Sequence, residues 1–232
     1  MKPRILSSLS LVCLLFAVYP TQAAFTIEPA VITFLADKGE RTAMVELVHT
    51  GGDPAAIQLS VLERWLDING GFVKVGLPIS SDFVVHPAQV ILYPNERATV
   101  QIQYKGKGKI TVDKAYLLYS REVPIDVRRE DEGVSMTVNM VTSYYTVISL
   151  ETGKLGKLVF VSSKAIEGGK IEVVAENRGA GRVKMESLDV MVNGKSIKEI
   201  TGKGNSIMPG QTRRFTFEWP RALTEKEVKF VY

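Results

Sequence analysis

The clearest alternation of hydrophobic and polar positions in this sequence lies between residues 134 and 150. In its first half, polar residues separate four apolar ones, which are Val134, Met136, Val138 and Met140. A period of two predicts a half-buried β-strand. From Val141 onward both faces are apolar or aromatic, as is typical of a strand that enters a core. Residues 126–133 are charged and end in glycine, which predicts an exposed loop before the strand.

The apolar row in this strand has two interpretations. An apolar edge strand beside a solvated loop is prone to aggregation unless a partner covers it, which makes the row a candidate binding surface. Alternatively, the row belongs to an ordinary edge strand whose apolar face covers its own core. Periodicity alone leaves both interpretations open. We expect the second half of the strand, which includes Tyr145, to point into the core of the protein itself.

The preceding part of the chain consists of short apolar runs separated by turn signals. The predicted strands are 25–34, 42–49, 55–66, 83–85, 89–92, 98–104 and 115–125. Asn69, Gly70 and Gly71 form a strong hairpin signal after the third of them. Helical periodicity never persists for three turns. Seven to eight strands with frequent turns predict an immunoglobulin-like sandwich, which we assign to residues 24–150.

Residues 151–156 predict a linker, and a second set of shorter strands follows it. These strands are 157–161, 170–177, 183–192, 196–200, 212–219 and 228–232. We assign residues 157–232 to a second, smaller β domain. The sequence therefore predicts an all-β protein made of two tandem immunoglobulin-like β-sandwich domains.

The N-terminus predicts an export signal over residues 1–23. Lys2 and Arg4 precede an apolar run of about 15 residues, which is shorter than the ~20 that span a membrane. We expect cleavage after Ala23 and a mature protein in the periplasm. The only cysteine, Cys13, lies within the signal, so thiol catalysis and zinc–thiolate sites are excluded for the mature chain.

The remaining composition argues against an enzyme. The two histidines, His49 and His86, lie at strand ends, where we expect solvated or hydrogen-bonded roles. No grouping has metal-ligand or catalytic spacing, so we predict no cofactor and no metal. Loss of Lys2 and Arg4 with the signal leaves 27 of 29 basic residues against 25 acidic ones, a net charge of +2. This balance does not indicate a nucleic-acid partner.

Four segments together resemble the periplasmic pilus-assembly chaperones of the PapD-like chaperone–usher class. They are FTIEPAVI at 25–32, Trp65, DFVVHPAQVILYP at 82–94 and AYLLYSREVPI at 115–125, followed by the alternating strand. The resemblance covers the whole first domain and is thin in the second. It implies two immunoglobulin-like domains, pilin subunits as partners and delivery of those subunits to an outer-membrane usher.

The resemblance also implies a mechanism. In this family the chaperone lends a strand to a subunit that lacks its last strand, which is a case of β-augmentation. Val134, Met136, Val138 and Met140 would then be the residues inserted into the subunit core. In the free protein, we expect this row to favour a self-capping dimer.

One departure from the family concerns the group that holds the terminal carboxylate of the subunit. The family carries an arginine and a lysine at positions that align with Val31 and Ser143, but residues 25–34 and 134–150 contain no basic side chain. The chain is therefore more similar to the archaic or alternative branches than to the classical one. Arg121 is our candidate substitute, since a guanidinium can hold a carboxylate with two hydrogen bonds. The alternative is a surface arginine paired with Glu122 or Asp113.

The main competing hypothesis is a secreted two-domain binding or structural module, such as a pilus subunit or a carbohydrate-binding protein. A self-contained subunit would carry a donor extension at its mature N-terminus, whereas here a strand begins at Phe25. A carbohydrate-binding protein would expose aromatic side chains in loops. Trp65 and Trp219 both fall in predicted strands, where we expect them to belong to the core.

Overall fold

A computed structural model describes residues 25–73, 76–124, 141–200 and 206–232, and the regular secondary structure of these residues is almost entirely β-strand. The strands of the first half are β1 (Phe25–Glu28), β2 (Val31–Leu35), β3 (Thr42–His49), β4 (Ala55–Glu63), β5 (Phe83–His86), β6 (Gln89–Leu92), β7 (Arg97–Tyr104), β8 (Lys114–Val123) and β9 (Ser143–Glu151). Those of the second half are β10 (Leu158–Ile166), β11 (Lys170–Asn177), β12 (Val183–Lys184), β13 (Asp189–Val192), β14 (Lys195–Ser196), β15 (Ser206–Ile207), β16 (Thr212–Glu218) and β17 (Val228–Val231). Two short 3-10 helices, Ala36–Lys38 and Glu225–Glu227, accompany them.

The first half of the chain forms a sandwich of two sheets. One sheet has the strand order β1-β3-β7-β5, and the other has the order β2-β9-β8-β4-β6. Alternate residues of both sheets point inward and form one apolar core, in which Phe34, Leu47 and Ile148 are almost completely buried. Each such side chain stabilises the fold by about 1.5–3 kcal/mol through removal of its surface from water.

The first predicted strand, 25–34, is wrong as a single element. The chain changes sheets at Pro29 and Ala30: β1 pairs with β3 in one sheet, whereas β2 pairs in parallel with β9 in the other. Proline has no N–H to donate to a ladder, so a strand that contains it is readily interrupted at that position. This change of sheet determines where β2 first meets β9.

The second half forms a separate apolar core under three small sheets. Their strand orders are β10-β11-β16, β12-β15 and β14-β13-β17. The predicted strand 183–192 is wrong as one element, because the chain turns between Met185 and Leu188 and buries both side chains. The prediction of an all-β protein with two tandem immunoglobulin-like sandwiches is confirmed.

Asp113 forms the main polar contact between the two halves. This carboxylate is 6% exposed. Its Oδ1 accepts hydrogen bonds of 2.7 Å from the backbone N–H and the hydroxyl of Thr152, and its Oδ2 accepts one of 2.9 Å from the backbone N–H of Arg182. The Arg182 guanidinium in turn contacts Glu151 at 2.8 Å. A buried carboxylate with three donors holds the chain segments that supply those donors in a fixed arrangement.

We predict that Asp113→Ala lowers the free energy of unfolding by about 2–4 kcal/mol, since it leaves two backbone N–H groups buried without an acceptor. The control is Glu186→Ala, which removes an exposed carboxylate and should change stability by less than about 0.5 kcal/mol. Denaturant unfolding of both variants measures the difference. Equal losses in the two variants would show that Asp113 does not stabilise the contact between the halves.

Candidate functional site

One side of β9 is only partly covered by its neighbour. Along one side, β9 pairs with β8 from Ser143 to Leu150. Along the other side, β2 begins to pair only at Val147, whose N–H donates to the carbonyl of Ala30 at 3.3 Å. Because alternate residues point their N–H and C=O groups to the same side, those of Ser143 and Tyr145 also point this way, and no strand in the described ranges pairs with them. We call this unpaired side of residues 143–146 the open edge.

Along the sequence, the open edge follows closely on the alternating apolar row of residues 134–140. Val134, Met136, Val138 and Met140 lie outside the described residues, so their predicted role stays a prediction. Val141, where the description resumes, is 54% exposed. An exposed strand edge is a template for pairing with another chain.

The two faces of β9 differ in what covers them. Thr146, Ile148 and Leu150 are buried on the inner side, and Tyr144 packs edge-on against Phe25 with 5.0 Å between ring centroids. Tyr145 is only half-buried and lies on the outer face of the sheet, so its predicted place in the core is wrong. The period of two continues through the whole strand. Both faces are apolar because a separate hairpin covers part of the outer one.

Three aromatic rings form a cluster on this outer face. Tyr145 stacks on Tyr119 of β8, with centroids 4.9 Å apart and an interplanar angle of 22°. Phe72 meets Tyr145 edge-on at 5.2 Å. Burial, and then the proximity of Tyr119, raise the pKa of Tyr145. We call Phe72, Tyr119 and Tyr145 the aromatic cluster.

Phe72 is carried by a hairpin that also contacts the second sandwich. We call this hairpin, residues 64–73, the arm. The predicted turn is confirmed: the N–H of Asp67 donates to the carbonyl of Gly71 at 2.9 Å. The carbonyl of Ile68 accepts from the N–H of Arg214 in β16 at 2.7 Å. Gly70 has a φ of +85° and packs on the guanidinium of Arg213, where a Cβ atom has no room.

Arg121 lies on the same outer face, on β8, which pairs with the side of β9 opposite to the open edge. It is the cross-strand partner of Ser143. Ser143 is one of the two positions that align with a basic residue in the family that the sequence resembles. Its Nε and Nη2 donate to Oε1 of Gln58 at 3.1 and 2.9 Å. The proposed pairing with Glu122 or Asp113 is not observed: Asp113 is bonded between the two halves, and Glu122 accepts from the N–H of Thr142 at 3.3 Å.

Val31 is the other position that aligns with a basic residue of the family. It is 55% exposed and pairs with Val147, just beyond the open edge of β9.

The sequence analysis did not identify Gln58 and Tyr119 as neighbours of Arg121. Tyr119 carried a signal, because it precedes Arg121 by two residues on one strand and therefore shares its face. No sequence signal pointed to Gln58, because its proximity to Arg121 depends on the register between β4 and β8.

Two expectations about isolated residues are wrong. His49 is 1% exposed, and within the described part of the chain neither ring nitrogen has a hydrogen-bond partner. Trp65 is 47% exposed and follows β4 rather than lying in it, and its Nε1 donates to Glu63 at 3.2 Å. This exposure removes one argument against a carbohydrate-binding protein. Trp219 is half-buried against the second core, and His86 is exposed.

Within the described ranges, no group of three His, Cys, Asp or Glu side chains could hold a metal ion. The same residues include no helix that is long and apolar enough to cross a membrane.

Comparison with known proteins finds solved structures of similar fold, among them chaperones. The chain matches the E. coli chaperone DraB with a TM-score of 0.54 and 14% identity, over 85% of this chain and 86% of that one. It matches a chain of the Salmonella enterica SafA pilin–SafB chaperone complex with a TM-score of 0.53 and 15% identity, over 85% of each. For the archaic CsuC–CsuE chaperone–tip adhesion subunit complex of Acinetobacter baumannii, the TM-score is 0.52 and the identity 14%, over 83% and 90%.

No protein-family model and no curated protein sequence matches the chain. At 14–15% identity these solved structures show a shared fold. The fold that the sequence resemblance implied is therefore confirmed.

We predict that Gly70→Ala destabilises the protein by about 2–4 kcal/mol, because it combines a left-handed backbone with a clash against Arg213. Gly168→Ala is the matched control. Its φ is +76°, but nothing lies within 4 Å of the added Cβ, so only the backbone cost of about 1–2 kcal/mol applies. Chemical denaturation of both variants gives the difference. Equal destabilisation would mean that the arm does not pack against the second sandwich.

Proposed function

We propose that this protein is a periplasmic chaperone of pilus subunits, which it binds by lending the strand that leads into β9. The observation that carries the proposal is the open edge of β9, which follows directly on the alternating apolar row. The fold supports it, since two of the similar solved structures are complexes of a chaperone with a pilin or tip adhesion subunit. A carbohydrate-binding module with an exposed Trp65 would have no use for an unpaired strand edge.

In this proposal a strand of the subunit pairs with the open edge and with the residues before it. Val134, Met136, Val138 and Met140 then fill the incomplete core of the subunit. Burial of four such side chains contributes at most about 6–12 kcal/mol, before association and ordering costs are subtracted. The unbranched methionines adapt to pockets of differing shape.

Arg121 is the proposed anchor for the terminal carboxylate of the subunit. It lies on β8 opposite Ser143, across β9 from the open edge, and its guanidinium donates to Gln58 of β4. A strand that pairs along the open edge must stop where β2 begins to pair at Val147. A guanidinium that turned from Gln58 across β9 would hold the carboxyl end of that strand rather than its amino end.

The remaining parts of the proposal follow the resemblance. Residues 1–23 direct export and are removed, and residues 24–150 and 157–232 form two domains joined by 151–156. The chaperone passes its subunits to an outer-membrane usher and performs no enzymatic reaction. It belongs to an archaic or alternative branch, because Val31 and Ser143 replace the basic pair. In the free protein, the apolar row favours a self-capping dimer.

We predict that Met136→Asp abolishes capture of a co-expressed pilin, because an unpaired carboxylate is strongly disfavoured in the groove of the subunit. Ser135→Asp, on the polar face of the same strand, is the matched control and should capture pilin normally. Size-exclusion chromatography of the 1:1 complex is the measurement.

Thermal unfolding of the free variants tests whether the row belongs to the protein itself. Met136→Asp should keep the melting temperature of the parent, whereas Ile148→Asp, in the buried half, should lose several kcal/mol of stability. If Met136→Asp unfolds the free protein as severely as Ile148→Asp, the row is part of the internal core. Equal recovery of soluble pilin with and without the parent protein would exclude a chaperone function.

A further inference from the structure

The connection between β7 and β8 is strongly basic. Its residues 105–112 read KGKGKITV, with three lysines and no acidic residue. All three lysines, Lys105, Lys107 and Lys109, are exposed, and no acidic side chain among the described residues pairs with their amines. The neighbouring carboxylate of Asp82 instead faces Lys114 at 3.8 Å. We call residues 105–109 the lysine loop.

Arg41 holds the backbone of the lysine loop in place. Its Nη1 donates to the carbonyl of Gly106 at 2.7 Å, and its Nη2 donates to the carbonyl of Gly108 at 3.0 Å. Gly106 packs on the ring of Tyr104, where a Cβ atom has no room. The guanidinium of Arg41 lies 5.5 Å from the centroid of the same ring. The backbone that carries the lysines is therefore ordered before any partner binds, and little entropy is lost there on binding.

Contacts on both sides of the lysine loop complete this support and add a fourth lysine. The N–H of Lys105 donates to the carbonyl of Asp82 at 2.6 Å. Beyond the loop, the carbonyl of Thr111 accepts from Nζ of Lys154 at 2.9 Å. A carbonyl is a neutral acceptor, so Lys154 keeps its full charge next to the loop. Four lysines with no acidic partner give this surface a positive potential, which attracts anionic surfaces.

The composition of the lysine loop favours a lipid surface over a protein or a nucleic acid. Glycines separate the lysines, so the loop has no aromatic or apolar side chain around which the core of a protein interface forms. Tyr104 is buried, so its ring cannot stack on a base. An ammonium group is a point charge without the fork that fixes a single carboxylate, and it therefore suits a surface of many mobile charges. We infer that the lysine loop, together with Lys154, binds the anionic phospholipid headgroups of a membrane surface.

The lysine loop and the open edge lie towards opposite ends of β9. The loop leads into β8, whose first residue, Lys114, pairs with Leu150, whereas the open edge ends at Thr146. Four residues of a strand span roughly 13 Å. Attachment to a lipid surface and pairing with a subunit strand therefore use different parts of the first sandwich. The inference goes beyond the proposed function and does not depend on it.

The test compares vesicles of phosphatidylcholine alone with vesicles of phosphatidylcholine and phosphatidylglycerol. Co-sedimentation at low and at physiological salt gives the partition coefficient of the mature protein. The loop variant is K105Q/K107Q/K109Q, and K105R/K107R/K109R keeps the charge. The control variant, K195Q/K198Q/K226Q, removes the same charge from exposed positions of the second sandwich.

The parent protein should bind the anionic vesicles and not the neutral ones, and physiological salt should weaken this binding because it screens exposed charges. For the loop variant, the partition coefficient should fall about a hundredfold, which is roughly fivefold for each lysine. The control variant and the arginine variant should bind as the parent does. All melting temperatures should agree, since the replaced amines form no ion pair among the described residues.

Four results would overturn the inference. The first is a parent protein that does not sediment with anionic vesicles at low salt. The second is an equal loss in the loop and control variants, which would indicate net charge rather than the loop. The third is retention on immobilised polyglutamate, lost in the loop variant, without vesicle binding, which would indicate an acidic protein. The fourth is release from vesicles by inorganic phosphate but not by chloride at equal ionic strength, which would indicate a site for free phosphate.

Failure of this inference is distinguishable from failure of the proposed function. The loop variant should capture pilin normally, because the open edge is unchanged. Met136→Asp should bind anionic vesicles as the parent does, because the lysine loop is unchanged.

Discussion

A β-strand has two hydrogen-bonding edges, and in this protein one edge of β9 is covered over only part of its length. The cause is the change of sheet at Pro29 and Ala30, which commits Phe25–Glu28 to β3 and leaves only Val31–Leu35 for β9. β2 therefore enters at Val147, and the backbone groups of Ser143 and Tyr145 face no described strand. Unpaired backbone groups beside apolar side chains favour the addition of a strand. The proposed chaperone function depends on this one geometric fact.

The surroundings of the open edge are held by contacts that are distant in sequence. The arm brings Phe72 onto Tyr145 and reaches β16 of the second sandwich through Ile68 and Gly70. Asp113 fixes the segments that join the two halves. Packing and buried hydrogen bonds of this kind hold the arm and the outer face of the sheet in one arrangement.

Local patterns in the sequence predicted most of the strands, but they did not predict what surrounds individual side chains. The alternation at Thr42–His49 and at Lys170–Asn177 depends only on which face is buried, so both strands were predicted with their observed ends. The orientation of Tyr145, the burial of His49 and the exposure of Trp65 depend on which distant segment packs above each residue. Arg121 was selected for its chemistry alone. Its place opposite Ser143 depends on the register of β8 against β9, which no local pattern specifies.

Hydrogen–deuterium exchange of the backbone amides of β9 tests the central claim most directly. In the free monomeric protein, the N–H groups of Ser143 and Tyr145 should exchange rapidly, whereas that of Thr146, which faces β8, should be protected. In the complex with pilin, all three should exchange slowly, because a subunit strand pairs with the open edge. Slow exchange of Ser143 and Tyr145 in the free monomer, or no change on binding, would contradict the account.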